Sequence, residues 1–284
     1  MTQLSQASVL ELHRYPVKSM MGESITAVEI TDNGFKGDRI LALRDEVRGG
    51  IRGAKKIPQL MTFSARTEET VRPSARITAP SGETLLSTAT EINDWLSAEL
   101  GHPVSLWPLL PAAQLEHYRR GAPDSDDMEQ ELRALFGRLP QEPLPDLSLF
   151  AEVLEFESPP GTYFDAFPLN LLSRQSLMSI AATNATQQFD SRRFRPNILI
   201  DLPDIAHPYP ETTLTGQQLR IGDSIIEFVG ACPRCSMTTH GFADLPKDTG
   251  IMRTLVEQTE GNLGCYAKVI QPGTIRCNDA ISLA

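Results

Sequence analysis

Cysteine is scarce in this chain: four among 284 residues, at positions 232, 235, 265 and 277. A secreted fold stapled by disulfides carries thiols far more densely, so these four are expected to stay reduced. Long apolar runs are missing too. No window approaches a membrane-spanning length of about 18 apolar residues, and the opening MTQLSQASVLELHRY lacks the basic-then-apolar order of a secretory signal. Cytoplasmic residence, with no membrane, is the resulting expectation. Positive charge is also in short supply, with 26 basic against 36 acidic residues and a net charge of −10. Such a surface repels nucleic acid, so any anion site has to be local. Internal repeats and low-complexity tracts are absent. Hydrophobic residues make up 40% of the chain, enough for the core of one large or two ordinary domains.

What is present reads mainly as strand. LELHR alternates apolar and polar residues, SITAVEI follows, and Asn33-Gly34 marks a turn. Short strands are expected on either side of Gly49-Gly50 and of the Pro80-Ser81-Gly82 turn. Short strands this close together favour a barrel or sandwich. A helix over EINDWLSAEL, capped by Thr90, puts Ile92, Trp95, Leu96 and Leu100 on one face before Gly101 and Pro103 stop it. From residue 111 to 147 proline and acid crowd the sequence. One helix is expected there, capped by Ser125, with Met128, Leu132, Leu135 and Phe136 apolar and acids in its first turn. The second half resumes with a strand over FPLNLL, a helix capped by Ser173 with Leu177, Ile180 and Ala181 inward, and a hairpin at Gly222-Asp223. The chain is therefore expected to be mainly β with flanking helices (α+β): an N-terminal barrel-like domain over 1–112, a linker over 113–147, and a second domain over 148–284.

Four stretches can carry chemistry. In YPVKSM, Pro16 extends the chain and Lys18-Ser19 present a charge and a hydroxyl suited to phosphate, although most such pairs are surface features. In GDRILAL, Arg39 either binds an anion or pairs with an acid such as Asp38. In RRFRPNILI, three arginines precede a proline. Arg195 and Asn197 form the best local anion site in an acidic chain, or else part of a basic cluster balancing the acids. The fourth, GACPRCSMTTH, sets Cys232 and Cys235 at C-x-x-C spacing around Pro233 and Arg234. A zinc site lacks a second pair, since Cys265 and Cys277 are twelve apart and only His240 is near. A thioredoxin-like pair lacks a good helix start. Two half-buried structural thiols remain possible. So does a soft metal on a phosphorylated cofactor, with Arg234 stabilising a thiolate.

In their order along nearly the full chain, YPVKS, GDR, FRPNILI, C-x-R-C-x-x-T-T, DTG and PGTI resemble the motifs of MOSC-domain proteins that carry an N-terminal MOSC β-barrel domain. The similarity is to bacterial YcbX-like proteins and the mitochondrial amidoxime-reducing component. The resemblance implies a C-terminal MOSC β-barrel domain and a molybdenum cofactor of the molybdopterin type held between two domains. It implies Cys235 as the metal ligand and catalytic residue, and Lys18, Ser19, Arg39, Arg195, Asn197, Pro233, Arg234 and, less directly, Tyr266 as cofactor contacts. Cys232 is then second to Cys235 or structural. The implied activity is an oxidoreductase acting on small N-hydroxylated or N-oxide substrates; a cofactor or sulfur carrier without turnover is the alternative. No clustered cysteines for an iron–sulfur domain follow, so a separate electron-donor protein is expected. Two departures stand out. Asp165 is followed by Ala166 and Phe167 where the family has hydroxyl side chains. HGFADLPK also lengthens the loop that the family keeps short.

Overall fold

Alternating burial organises the sheets. Along Ser224–Pro233 buried and half-buried residues alternate at every step, the period of a strand with one face on a core. In a computed structural model, residues 4–68, 73–147 and 155–284 are described; the expected start of the second domain at 148 lies outside them. The first part supplies β1 (Ser8–Arg14), β2 (Glu23–Ile25), β3 (Ala27–Thr31), β4 (Gly34–Phe35), β5 (Leu41–Asp45), β6 (Ile51–Arg52), β7 (Ser64–Glu68), β8 (Ser74–Thr78), β9 (Thr84–Leu86) and β10 (Val104–Pro108). The second supplies β11 (Leu169–Ser173), β12 (Ile198–Asp201), β13 (Gln218–Ile221), β14 (Ser224–Pro233), β15 (Asn262–Gln271), β16 (Gly273–Arg276) and β17 (Ile281–Leu283).

Eight of these form one sheet in the order β17-β13-β14-β15-β11-β12-β1-β2, beside three-stranded sheets β10-β5-β6, β16-β3-β4 and β7-β8-β9. The molecule is mainly β with a few helices, as expected, but no barrel closes among the described residues. The edge strands β2 and β17, three residues each, are not paired with one another. The two parts of the chain also share sheets. β1 lies antiparallel to β12, with Val9 opposite Ile200 and Leu12 opposite Ile198. β16 returns to pair with β3.

Five α-helices are described: α1 (Ile92–Leu100), α2 (Leu115–Tyr118), α3 (Met128–Phe136), α4 (Arg174–Thr183) and α5 (Gly250–Thr259). Ser173 caps α4 as expected, accepting from the Ser176 N–H. The other two caps differ. Thr90 bonds the Glu91 side chain instead of the α1 backbone. At α3 the cap is Asp127, which accepts from the Glu129 and Gln130 amides, while Ser125 donates to Gln130 Oε1. A carboxylate in reach of two amides outcompetes a hydroxyl two residues upstream. Nor does an apolar stripe seat α3: Met128 is 70% exposed, and the buried residue is Glu131, bound to Lys56. The short helix α2 was not expected, because four residues carry no period. It brings Tyr118 into a small core with Ala42, Ile51, Phe156 and Tyr163.

Two larger cores decide where the site sits. One is built from β1, β11, β12, β14 and β15, through residues such as Leu12, Leu171, Ile198 and Phe228. The other packs Val17, Leu43, Phe63, Ile77 and Leu96 together with Met237, Phe242 and Leu245 from the far end of the chain. The segment after Cys235 is thus anchored in a core made mostly by the first hundred residues. At the join, β14 and β15 slip register between Ala231 and Pro233, and Gly264 takes φ +78°. A Cβ at Gly264 would lie 2.6 Å from the Leu171 carbonyl oxygen and 3.0 Å from an Arg234 nitrogen. Gly264→Ala is expected to cost about 1–3 kcal/mol in urea unfolding; a change under about 0.5 kcal/mol would mean that this bulge relaxes freely.

Candidate functional site

Three turns meet behind the large sheet, and each holds a residue in the left-handed region that side chains avoid: Ser19 (φ 71°), Arg39 (φ 47°) and Arg195 (φ 51°). Each such turn costs about 1–3 kcal/mol and persists only where neighbours fix it. The fixing bonds are visible. The Tyr15 amide donates to Asp38 Oδ1 (2.6 Å), and the Arg39 amide donates to the Tyr15 carbonyl (2.7 Å). The Tyr15 hydroxyl donates to the Pro196 carbonyl (3.1 Å), tying the first loop to the FRPN turn. Both turn arginines lie over the Tyr15 ring, Arg195 at 4.1 Å and Arg39 at 5.1 Å from its centre.

The cations divide by partner. Arg39 donates to Asp38 and to Asn197 Oδ1 (3.1 Å), so the ion-pair reading of the GDR arginine holds. Asn197 closes the frame, its amide donating to the Asn170 carbonyl (2.7 Å). Arg195 is 7% exposed and donates to the Met20 carbonyl, with no carboxylate partner among the described residues. Burial lowers its pKa to about 10, which leaves it protonated at neutral pH. Lys18 is 4% exposed, and its Nζ donates to the Tyr163 carbonyl (3.0 Å) and to Asp165 Oδ1 (2.8 Å). Lys55 Nζ stands 3.6 Å from the same oxygen. Burial by itself would raise the Asp165 pKa, but Lys18 and Lys55 outweigh it and hold the carboxyl well below the usual range. Ser19 does not face the cleft; its Oγ accepts from the Ala54 amide (2.9 Å) and holds the loop that carries Lys55.

The two thiols differ. Cys232 is buried at the end of β14 and hydrogen-bonded to the Tyr266 hydroxyl; burial raises its pKa against the pull of Arg234. Cys235 is half-buried, and burial raises its pKa too, with Lys55 the strongest opposing charge. Arg234 pulls both thiol pKa values down, as expected from sequence, but at Cys235 its pull is weaker than that of Lys55. The Arg234 guanidinium is spent as a bracket, donating to the Leu263 carbonyl (2.7 Å), the Phe194 carbonyl (2.8 Å) and Asn170 Oδ1 (3.2 Å). One cleft brings together Arg39, Arg195, Asn197, Pro233, Arg234, Cys235 and Tyr266. Lys18 acts on it through Asp165, which lines the cleft, as does Phe167, whose ring packs 5.5 Å from that of Tyr266.

A closed zinc site finds no support: no group of three or more His, Cys, Asp or Glu is placed for a metal among the described residues. Cys265 donates to the Gly230 carbonyl, Cys277 lies against the Ile25 carbonyl, and His240 Nε2 bonds the Ala54 carbonyl (3.0 Å). Lys55 was missed in the sequence, where GAKKIP reads as an ordinary exposed pair. The contacts of its loop with Ser19 and His240, and of its Nζ with Asp165, reveal it.

Family models match residues 6–99 as a MOSC N-terminal beta barrel domain and residues 160–282 as a MOSC domain. The chain belongs to the MOSC-domain proteins. It is 26% identical to mitochondrial amidoxime-reducing component 1 of Mus musculus, over 97% of this chain and 82% of that one. Mitochondrial amidoxime reducing component 2 of Macaca fascicularis is also 26% identical, over 96% and 82%. Among solved structures, the YUAD protein of Bacillus subtilis is similar at a TM-score of 0.44 and 11% identity, over 97% of this MOSC-domain chain and 93% of that one. Among the described residues no helix is long and apolar enough to cross a membrane.

Two solution tests follow. In a Cys277→Ser background, iodoacetamide should label Cys235 well before Cys232 or Cys265. Lys55→Met should slow that labelling at pH 8 by up to about tenfold, because losing a nearby cation raises the thiol pKa. The depressed Asp165 carboxyl contributes stability that is present above the unfolded pKa, about 3.9, and lost as pH falls through the lower folded value. Asp165→Asn should therefore flatten the acid limb of the stability curve, and an unchanged limb would count against the Lys18–Asp165–Lys55 account.

Proposed function

We propose that this protein is a molybdenum cofactor-binding oxidoreductase that reduces small N-hydroxylated or N-oxide substrates. The observation that carries the reading is a half-buried thiol, Cys235, at a cleft whose buried cation Arg195 lacks a carboxylate partner among the described residues. A phosphorylated cofactor with a soft metal needs one thiolate and several fixed positive donors, and the donor set fits that demand. The names of the similar MOSC-domain proteins, amidoxime-reducing components, support the same class of substrate.

In this reading Cys235 is the metal ligand, and the bound cofactor supplies the two-electron redox chemistry. The chain does the rest. Arg39, Arg195 and Asn197 receive the anionic end, preoriented by the Tyr15 ring and the three left-handed turns, so little ordering is left to binding. Lys18 and Ser19 set the neighbouring loops. Pro233 and Arg234 fix the approach to Cys235, and Tyr266 with Phe167 forms an aromatic wall. Reducing an N–OH group to N–H takes two electrons and two protons and releases water. Lys55 is 19% exposed beside Cys235, and Asp165 leads the charges that outweigh burial and keep its Nζ protonated, so it stands as a fixed positive charge that can meet an incoming oxygen. Phe167, in place of a hydroxyl, makes this side of the cleft more apolar. The site lies where residues 1–112 and 148–284 meet, and these are the two domains we propose, joined by 113–147. Electrons come from a separate donor protein. Cytoplasmic residence belongs to the same proposal; the relatives are named mitochondrial.

The test is metal analysis of protein made in a host that synthesises molybdopterin. About one molybdenum per chain is expected, lost in Cys235→Ser and kept in Cys232→Ser; zinc without molybdenum would overturn the reading. Turnover of an amidoxime with an artificial donor then separates an enzyme from a carrier.

A further inference from the structure

Apart from the Cys235 cleft, a groove of about 990 Å³ lies between α3 and α5. Its near wall is the segment after Cys235, through Ser236, Thr239 and His240, and its apolar lining includes Ala134, Pro140 and Met252. At its base lies Arg138, 6% exposed, stacked so closely on Gly261 that a Cβ there would meet its Nη2 at 2.1 Å. Nη2 donates to the Glu260 carbonyl (2.8 Å), while the buried Nε and Nη1 have no acceptor among the described residues. A buried guanidinium with two idle donors is costly and marks a place where an acceptor is missing.

The other charges of the groove are spent. Arg133 binds Glu129 (2.8 Å) and the Leu139 and Glu142 carbonyls. Glu142, the acid nearest in influence to Arg138, is engaged by Arg253 and by the Leu139 amide (2.7 Å). Asp127 is occupied as the cap of α3. Arg138 and the exposed Lys247, both in the lining of the groove, remain as two positive groups without an ion-pair partner among the described residues.

We propose that this groove is a binding site for a small organic oxyanion, a carboxylate or phosphate group on an apolar body, distinct from the Cys235 cleft. The volume is at the upper end for small-ligand clefts, about 300–1,000 Å³. The head group answers to Arg138 and Lys247, and the body lies along Ala134, Pro140 and Met252. The groove and the Cys235 cleft share no lining residue, so the site does not depend on whether Cys235 holds a metal.

Calorimetric titration of the full chain with sodium benzoate, sodium acetate and sodium phosphate, at ionic strength fixed with sodium chloride, tests this. Saturable binding of benzoate tighter than acetate is expected for a carboxylate on an apolar body; saturable binding of phosphate alone assigns a phosphate head. The favoured anion should lose about tenfold in affinity in Arg138→Met, the scale of one charge-assisted bond. Ala134→Trp, a change at an exposed site in the groove lining that leaves the Arg138 side chain in place, should weaken it comparably and guards against a folding defect in the first variant. No saturable binding of any of the three anions, or affinities unchanged in both variants, would overturn the proposal.

Discussion

Buried positive charge is the constraint around which the site is arranged. Lys18, Arg39, Arg195 and Arg234 are each nearly or largely enclosed, in a chain whose net charge is −10. Removing a cation from water costs several kcal/mol unless hydrogen bonds and opposite charge offset it. Here the offsets are unequal. Arg234 is satisfied by carbonyls and an amide, Arg39 by Asp38, and Lys18 by Asp165 and a carbonyl. Arg195 has one carbonyl and the face of Tyr15. That imbalance points the unfilled demand for negative charge into the cleft beside Cys235.

The backbone carries a matching cost. Ser19, Arg39 and Arg195 all sit at positive φ, and the bonds that hold them run between loops more than twenty residues apart, and in one case nearly two hundred. The turns after β1 and before β12 are neighbours because these two strands pair in the large sheet. The site is therefore a product of the whole fold and not of any one segment. The placement of Met237, Phe242 and Leu245 in the core of the first hundred residues fixes the thiol loop in the same way.

Much of this was legible in the sequence, and the limits are physical. The hairpin at Gly222-Asp223, the cap at Ser173 and the stop at Gly101 depend on near neighbours and could be read locally. The ordered motifs pointed to seven residues that line one cleft. The limits lie where long-range partners decide. Short strands this close together pointed to a barrel or sandwich, and strand count says nothing of closure. The bracket made by Arg234 could not be read because its three acceptors lie 29 to 64 residues away in sequence. Lys55 went unnoticed because its loop is held by distant partners, the Ser19 hydroxyl, His240 and Asp165.

The non-equivalence of the two thiols is the centre of the account: both line the cleft, but Cys232 is 2% exposed, against Tyr266, and Cys235 is half-buried beside Lys55. Diffraction from crystals of the loaded protein at the molybdenum absorption edge tests it most directly. The account predicts one anomalous peak within bonding distance of Cys235 Sγ, on the side of Arg39 and Arg195. A peak bonded to Cys232, or one remote from both thiols, would contradict it.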